Sequence, residues 1–402
     1  MKKKEEERKK TVKERVIIGM RILTVLLILY FIAVFSNIPF IVKWRTLYIE
    51  TAMSTTSHQW LATMFIPKSV IEQVMKDREN ELALQQSMDS DWSGGWENIK
   101  HIENEKDFYA LYWELETDSI KDYLKRHDEV KASGYDSILI EDMQGELGLK
   151  TVQGDTLLVL DTSNNLFIVA VKGEGYQGKL AVVKNPAQIL LDKSDSLGSY
   201  GQLIDKFGEK NDAVIAVNAS GFKDVEGHGS GGEVRGSVVI DGVDYGDHKS
   251  GKPHWKFIGF QEDNRLYVTN YDRNKIEDYK WAVEFSPALI VNGEIVAEGS
   301  YGWGIQPRTV IGQAKDGTFM MLVVDGRQPG YSIGCTVGEC AIILDRYQAY
   351  QAVNLDGGSS SVMWYKDRQI TKSSSPSGFG RYLPDAIVVK KASAIKQDMK
   401  DN

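Results

Sequence analysis

The chain has 402 residues, 42% hydrophobic and 26% charged, which suits two or three packed units and excludes a wholly disordered protein. Its net charge of −8 is uneven: residues 1–15 carry eight Lys/Arg against four Glu, leaving −12 on the remainder. A body that acidic argues against nucleic acid as a partner, and two cysteines exclude a disulfide-dense scaffold or a cysteine-rich metal site.

The first informative element is Ile22 to Val42, 21 residues without a charge. A helix needs about 20 such residues to cross ~30 Å of hydrocarbon. Lys and Arg crowd the upstream side, whereas only Lys43 and Arg45 stand downstream before Glu50. By the positive-inside rule, residues 1–21 are then a cytoplasmic tail and everything after Trp44 is extracytoplasmic. The rival reading is a cleaved signal peptide, whose apolar core is usually shorter and ends at small residues; SNIPFIVKWR offers no such site. The expectation is a retained signal anchor in the cell membrane.

Residues 43–150 read as a polar, partly helical extracytoplasmic linker region, with one helix starting at Lys68. In EKDFYALYWELETDSIKDYLKRHDE, the residues Phe108, Leu111, Leu115, Ile120 and Leu124 fall at roughly helical spacing and predict one amphipathic helix. Glycine turns at Gly94–Gly95 and Ala132–Gly134 flank it.

From Thr156 the pattern changes to short Val/Ile-rich runs bounded by turns, among them LLVLD, LFIVAVKG, AVIAVNASG, RTVIGQ, TFMMLVVDG and QAVNLDGG. Helices are predicted in DSLGSYGQLIDKFGEK and TVGECAIILDRYQAY, each feeding a strand. Residues 151–392 thus form the main domain and 393–402 a tail. The expected class is α+β: a mixed β-sheet core with flanking helices, preceded by the single transmembrane helix.

Polar residues gather at predicted strand ends, where ligands of layered folds commonly bind. One strand ends at Asn218; another begins at Arg308; a third runs into Asp325-Gly326-Arg327; a fourth runs into Asp356-Gly357-Gly358-Ser359-Ser360. Arg308 and Arg327 each offer a planar fork of donors to a phosphate. Gly357 and Gly358 let the backbone approach a ligand, and with Ser359 and Ser360 can form a nest of N–H groups. Asp325 and Asp356 supply the two carboxyl groups that cleavage of a glycosidic bond typically needs. Each element also has a plain structural reading: a tight turn for Asp-Gly-Gly, a local ion pair for Asp325 and Arg327, a structural arginine at 308, a turn asparagine at 218.

In order and spacing, these motifs resemble the phosphodiester glycosidase family across residues 212–390. The carrying segments are AVIAVNASGF, PRTVIGQAKDG, LVVDGRQPGYSIG and AVNLDGGSSSVM, closed by GRYLPDAIVV with Arg381 at its head. The sequence departs from the family pattern where Ala219-Ser220 replaces Gly-Gly and Ser359 replaces a third Gly. The resemblance implies a hydrolase that cleaves the glycosidic C–O bond of a sugar-1-phosphate diester in a glycan or envelope polymer. It places Asn218, Arg308, Asp325, Arg327, Asp356, Gly357, Gly358 and Ser360 on motif positions. The roles inferred here are catalysis by Asp325 and Asp356 and substrate or phosphate binding by Asn218, Arg308, Arg327, Gly357, Gly358, Ser359, Ser360 and Arg381. No metal or other cofactor is called for. The alternative is a non-catalytic glycan-binding module in exopolysaccharide assembly.

Weaker signals remain. Cys335 and Cys340 can pair if the loop at Gly334–Gly338 brings them together, which one regular helix cannot do. His228, His248, His254 and Glu233 lie in glycine-rich loops and are candidates to line the site, though each also reads as an ordinary surface residue.

Overall fold

A computed structural model describes residues 2–93, 102–225 and 228–395. The glycine turn expected at Gly94–Gly95 and the last seven residues of the tail lie outside them.

The N-terminal helix α1 runs from Lys2 to Phe35. Its stretch Lys13–Phe35 is 23 residues long and is the one helix among the described residues apolar and long enough to cross a membrane. The uninterrupted helix stops short of the expected Val42. Ser36 to Ile38 are non-helical, and Pro39, which suits a first helical turn, opens α2 (Pro39–Met53). Helices α3 (Trp60–Thr63) and α4 (Lys68–Leu84) follow and close a small core around Ile49, Ala52, Ala62, Ile66 and Ile71.

The single helix predicted across residues 105–129 is two: α5 (Glu105–Leu111), capped by the Asn104 side chain, and α6 (Thr117–Arg126). The backbone between them is drawn into strand-like pairing, with Leu115 bridging Thr151, the Glu116 N–H donating to the Lys150 carbonyl and the Val152 N–H to that of Glu114. The Glu114 carboxylate is buried against the Lys184 ammonium at 2.5 Å. Tertiary pairing of this kind overrides weak local helix propensity. Phe108, Leu115, Ile120 and Leu124 join the same core as the strands beyond residue 156, and Leu139–Glu141 pairs with Thr156–Asp161. Packing therefore does not break at residue 150.

Three sheets form the body, and every strand pairing among the described residues is antiparallel. At the centre of a nine-stranded sheet, Arg308–Ala314 lies between Phe319–Val324 and Ala349–Asn354. All three are buried at every position but Tyr350, which explains why they read as largely apolar runs. A five-stranded sheet carries Ala213–Asn218 beside Asp385–Lys390. Two further helices are α7 (Ile204–Lys210) and α8 (Val337–Arg346). Helix α8 starts at a capping box in which Thr336 and Glu339 satisfy each other's backbone N–H.

Candidate active site

Register decides which side chains meet. Arg308 pairs with Val324, so the first residue of one strand stands beside the last of its neighbour, with Asp325 next along. Val310 pairs with Asn354, which puts the loop from Leu355 at the same end. The second sheet is tied in through Asn218, whose side-chain N–H donates to the Asp356 carbonyl at 2.7 Å. Its Oδ1 accepts from the Thr309 hydroxyl at 2.7 Å and from the Val362 N–H at 3.2 Å. Asn218 is wholly buried and does not line the cleft, so it positions the Asp356 loop rather than reaching a ligand.

The cleft at this end, ≈ 140 Å³, is lined by Arg308, Arg327, Arg381, Asp224, Asp356 and the 357–360 loop, with Phe222, Phe285 and Trp303 as apolar walls. Arg308 is 2% exposed. Its Nε and Nη2 donate to the carbonyls of Cys335, Trp303 and Gly304. Burial, above all, lowers its pKa. Arg327 has a left-handed backbone (φ 59), costly for a bulky residue, that is fixed by its N–H bonding to the Ile333 carbonyl. Its guanidinium donates at 3.0 and 2.7 Å to Oε1 of Gln306. Desolvation, then the nearby Arg308 cation, lowers its pKa to about 10, so it stays charged at neutral pH. Among the described residues, neither Arg308 nor Arg327 has a carboxylate within salt-bridge distance. The two guanidinium groups thus concentrate positive charge at this end of the cleft without a directly bonded carboxylate.

The glycines act through space rather than through donors. A Cβ on Gly357 would meet the Pro307 carbonyl at 2.8 Å, and Gly358 (φ 64) lies under the Arg327 guanidinium, 3.0 Å from where its Cβ would be. The expected N–H nest is not formed. The Gly358 N–H bonds to the Pro307 carbonyl, the Ser360 N–H to Gly357, and the Gly357 N–H supports Asp356. Ser359 instead accepts from Arg381 through its hydroxyl at 3.2 Å, and Ser360 hydrogen-bonds Asp356.

The carboxyl groups are the main departure from the sequence reading. Asp356 opens on the cleft, and desolvation raises its pKa to about 6 despite hydrogen bonds from Ser360 and the Gly357 N–H. Asp325 does not line the cleft. Its carboxylate accepts from the Tyr331 hydroxyl at 2.8 Å and the Lys372 N–H at 2.9 Å, and burial raises it to about 6. The second cleft carboxylate is Asp224, which the motifs did not single out. Burial alone would raise it, but the two-pronged bond from Arg381 at 3.0 and 3.1 Å and the Gly229 N–H hold it below the ordinary range. Behind them Asp385, wholly buried, accepts the Ser220 N–H at 2.7 Å. Burial and, further down, the Asp356 charge push it up to about 7, and its Oδ2 has no partner.

Three lining residues carry no sequence signal at all. Ser54 and Thr56 come from the segment after α2, and Gln306 is held by the Thr51 carbonyl at 2.7 Å. His228, His248, His254 and Glu233 do not line the cleft; His248 bonds Glu284 at 2.7 Å and Glu233 pairs with Lys223 at 2.9 Å. Cys335 and Cys340 are brought together by the turn before α8, with Sγ atoms 3.3 Å apart and both buried.

Residues 211–390 match the profile of the phosphodiester glycosidase family, so the resemblance carried by the four motifs holds over that whole stretch. A curated relative, the SPbeta prophage-derived uncharacterized protein YomE of Bacillus subtilis (strain 168), is 25% identical over 242 residues. The match covers 56% of this chain and only 36% of that protein. Among solved structures, the zebrafish N-acetylglucosamine-1-phosphodiester alpha-N-acetylglucosaminidase catalytic domain, auto-inhibited by its pro-peptide, aligns at TM-score 0.46 and 16% identity. That alignment covers 56% of this chain and 82% of that one. A hypothetical protein from Synechocystis aligns at 0.41 and 15%, over 58% and 63% of the respective chains.

Proposed function

With residues 211–390 a phosphodiester glycosidase domain, we propose that this protein is a membrane-anchored hydrolase that breaks the glycosidic C–O bond of a sugar-1-phosphate diester on the extracytoplasmic face. The observation that carries the reading is the pair Arg308 and Arg327, two cations in one cleft that, among the described residues, no carboxylate pairs with directly, beside a carboxyl group that retains a proton unusually well. In this reading Arg327, with Arg308 behind it, holds the diester phosphate and stabilises the phosphomonoester as it departs. Protonated Asp356 donates to a phosphate-ester oxygen as the bond to the anomeric carbon lengthens. Ionised Asp224 faces the positive charge that develops at that carbon. Phe222, Phe285 and Trp303 give the sugar an apolar wall. Asp325 supports Tyr331 and the Lys372 backbone from outside the cleft and acts as a positioning residue. Asn218 positions the Asp356 loop.

Two carboxyl groups facing the cleft favour turnover over simple glycan binding, which gains nothing from negative charge beside a negative ligand. The test is incubation of the detergent-solubilised full chain with a panel of sugar-1-phosphodiesters in ¹⁸O-water. Label on C1 of the released sugar and none in the phosphate is the expected result. Label in the phosphate would show P–O cleavage and overturn the mechanism; binding without release would identify a glycan-binding module.

A further inference from the structure

Beyond the cleft, an aromatic surface lies beside α1. On α2, Phe40, Trp44 and Tyr48 recur at every fourth position, forming one stripe down the helix, and are 70%, 53% and 43% exposed. The opposite face is used, since Ile49 and Glu50 are buried. Next in the chain, Trp60, Met64 and Phe65 are 50%, 65% and 54% exposed. Single exposed apolar residues need no explanation, but six within one small helical unit do.

Their location supplies one. The Tyr30 hydroxyl of α1 donates to the Phe65 carbonyl at 2.9 Å, and Arg45 donates to the Val34 and Ser36 carbonyls at 2.7 and 3.0 Å. Tyr30 lies five residues, about 7.5 Å of helix rise, before the end of α1, so its side chain ties Phe65 to the flank of the apolar helix.

We infer that the start of α2 and the 60–65 segment are embedded in the outer leaflet of the bilayer, completing the membrane-inserted unit that α1 begins. Aromatic side chains on a short helix suit the headgroup level, and a Met/Phe tip suits the acyl boundary. This rests on the reading of α1 as a spanning anchor. Its consequence concerns the substrate. Ser54 and Thr56, which line the cleft, sit between the two inserted elements. Ser54 is ten residues from Trp44, about 15 Å along a helix. The cleft then opens close to the lipid surface and takes a phosphodiester tethered there.

The test reconstitutes the full chain in phosphatidylcholine vesicles with brominated acyl chains. Single variants Leu27→Cys, Met64→Cys and Val152→Cys carry an environment-sensitive thiol fluorophore, and the buried Cys335 and Cys340 stay unlabelled in wild-type controls. Val152 is the aqueous reference. It adjoins Gln153, which bonds the Arg346 carbonyl at the end of α8 remote from Cys335. Quenching at positions 27 and 64 but not at 152 is expected. Quenching at 27 with 64 as bright as 152 overturns the inference and leaves the anchor standing. No quenching at 27 removes the anchor and this inference with it.

Discussion

Replacing Asp356 with Asn tests the proton assignment directly. An ordinary aspartate, at 3.8, is only about 0.06% protonated at pH 7, whereas one raised to about 6 is about 9% protonated. The cleft thus enriches the acid form roughly 150-fold at neutral pH, which makes a carboxyl group a usable proton donor there. In the proposed mechanism kcat falls as pH rises through about 6, approaching tenfold per pH unit, because Asp356 loses its proton. The lower limb lies below pH 4, since Asp224 is held below its ordinary value. Asp356→Asn keeps the size and polar contacts of the side chain but cannot donate an acidic proton. Turnover should drop by about 10²–10⁴, and the limb near pH 6 should disappear from what remains. Initial rates on a sugar-1-phosphodiester across pH 4–9, with circular dichroism to check folding, decide the matter. An Asn variant within tenfold of wild type that still shows the limb near pH 6 refutes the reasoning.

The remaining predictions address the phosphate grip, the second carboxylate, the buried aspartate and the thiols. Gln306→Glu places a carboxylate against Arg327 and should raise KM more than tenfold with a smaller change in kcat, because it supplies the counter-ion the substrate otherwise provides; an unchanged KM would count against the anion site. Asp325→Asn should cost less turnover than Asp356→Asn, and the reverse ranking in kinetics would return Asp325 to the chemistry. Asp385 has a folded-state pKa near 7, above its unfolded value, so its contribution to stability is full below about pH 4 and is lost as pH rises through 7, by up to about 4 kcal/mol. Asp385→Asn should therefore flatten the pH dependence of urea unfolding across that window, and an unaltered slope would contradict the assignment. Cys335 and Cys340 should be joined by a disulfide in protein taken from an oxidising compartment, its denatured mass lighter by two hydrogens and restored by reductant.

What the sequence disclosed follows the reach of each interaction. The buried strands Arg308–Ala314, Phe319–Val324 and Ala349–Asn354 announced themselves because both faces are covered, leaving mostly apolar residues along them. The strand-end motifs pointed to the cleft because antiparallel register puts Arg308, Val324 and Asn354 at one end. Direction of a side chain is another matter. Asp325 and Arg327 are two residues apart, yet Arg327 reaches the cleft while Asp325 faces Tyr331 and Lys372. Asp224 went unnoticed because its meaning depends on Arg381, 157 positions away. Residues 105–126 misled because helical spacing is a local signal and the burial of Glu114 with Lys184 is not.

The N-terminal helices also bear on how the proposed phosphate site is assembled. Arg327 receives its orientation from Gln306, and Gln306 from the Thr51 carbonyl near the end of α2. The Thr51 hydroxyl accepts the Ile305 N–H at 3.0 Å, and a Cβ on Gly304 would strike the Thr51 backbone at 2.4 Å. Arg78 of α4 stacks on Trp303, 4.1 Å from its ring centroid, and fills the space a Cβ on Gly302 would need. The 302–306 segment that holds Arg308 by two carbonyls is thus clamped from outside by the helices that follow α1. On the proposed reading, cutting the chain back to the family-matching stretch 211–390 removes this clamp and loosens the grip of Arg308 and Arg327 on the substrate. The helical unit is therefore part of the site, and not a tether that merely carries it.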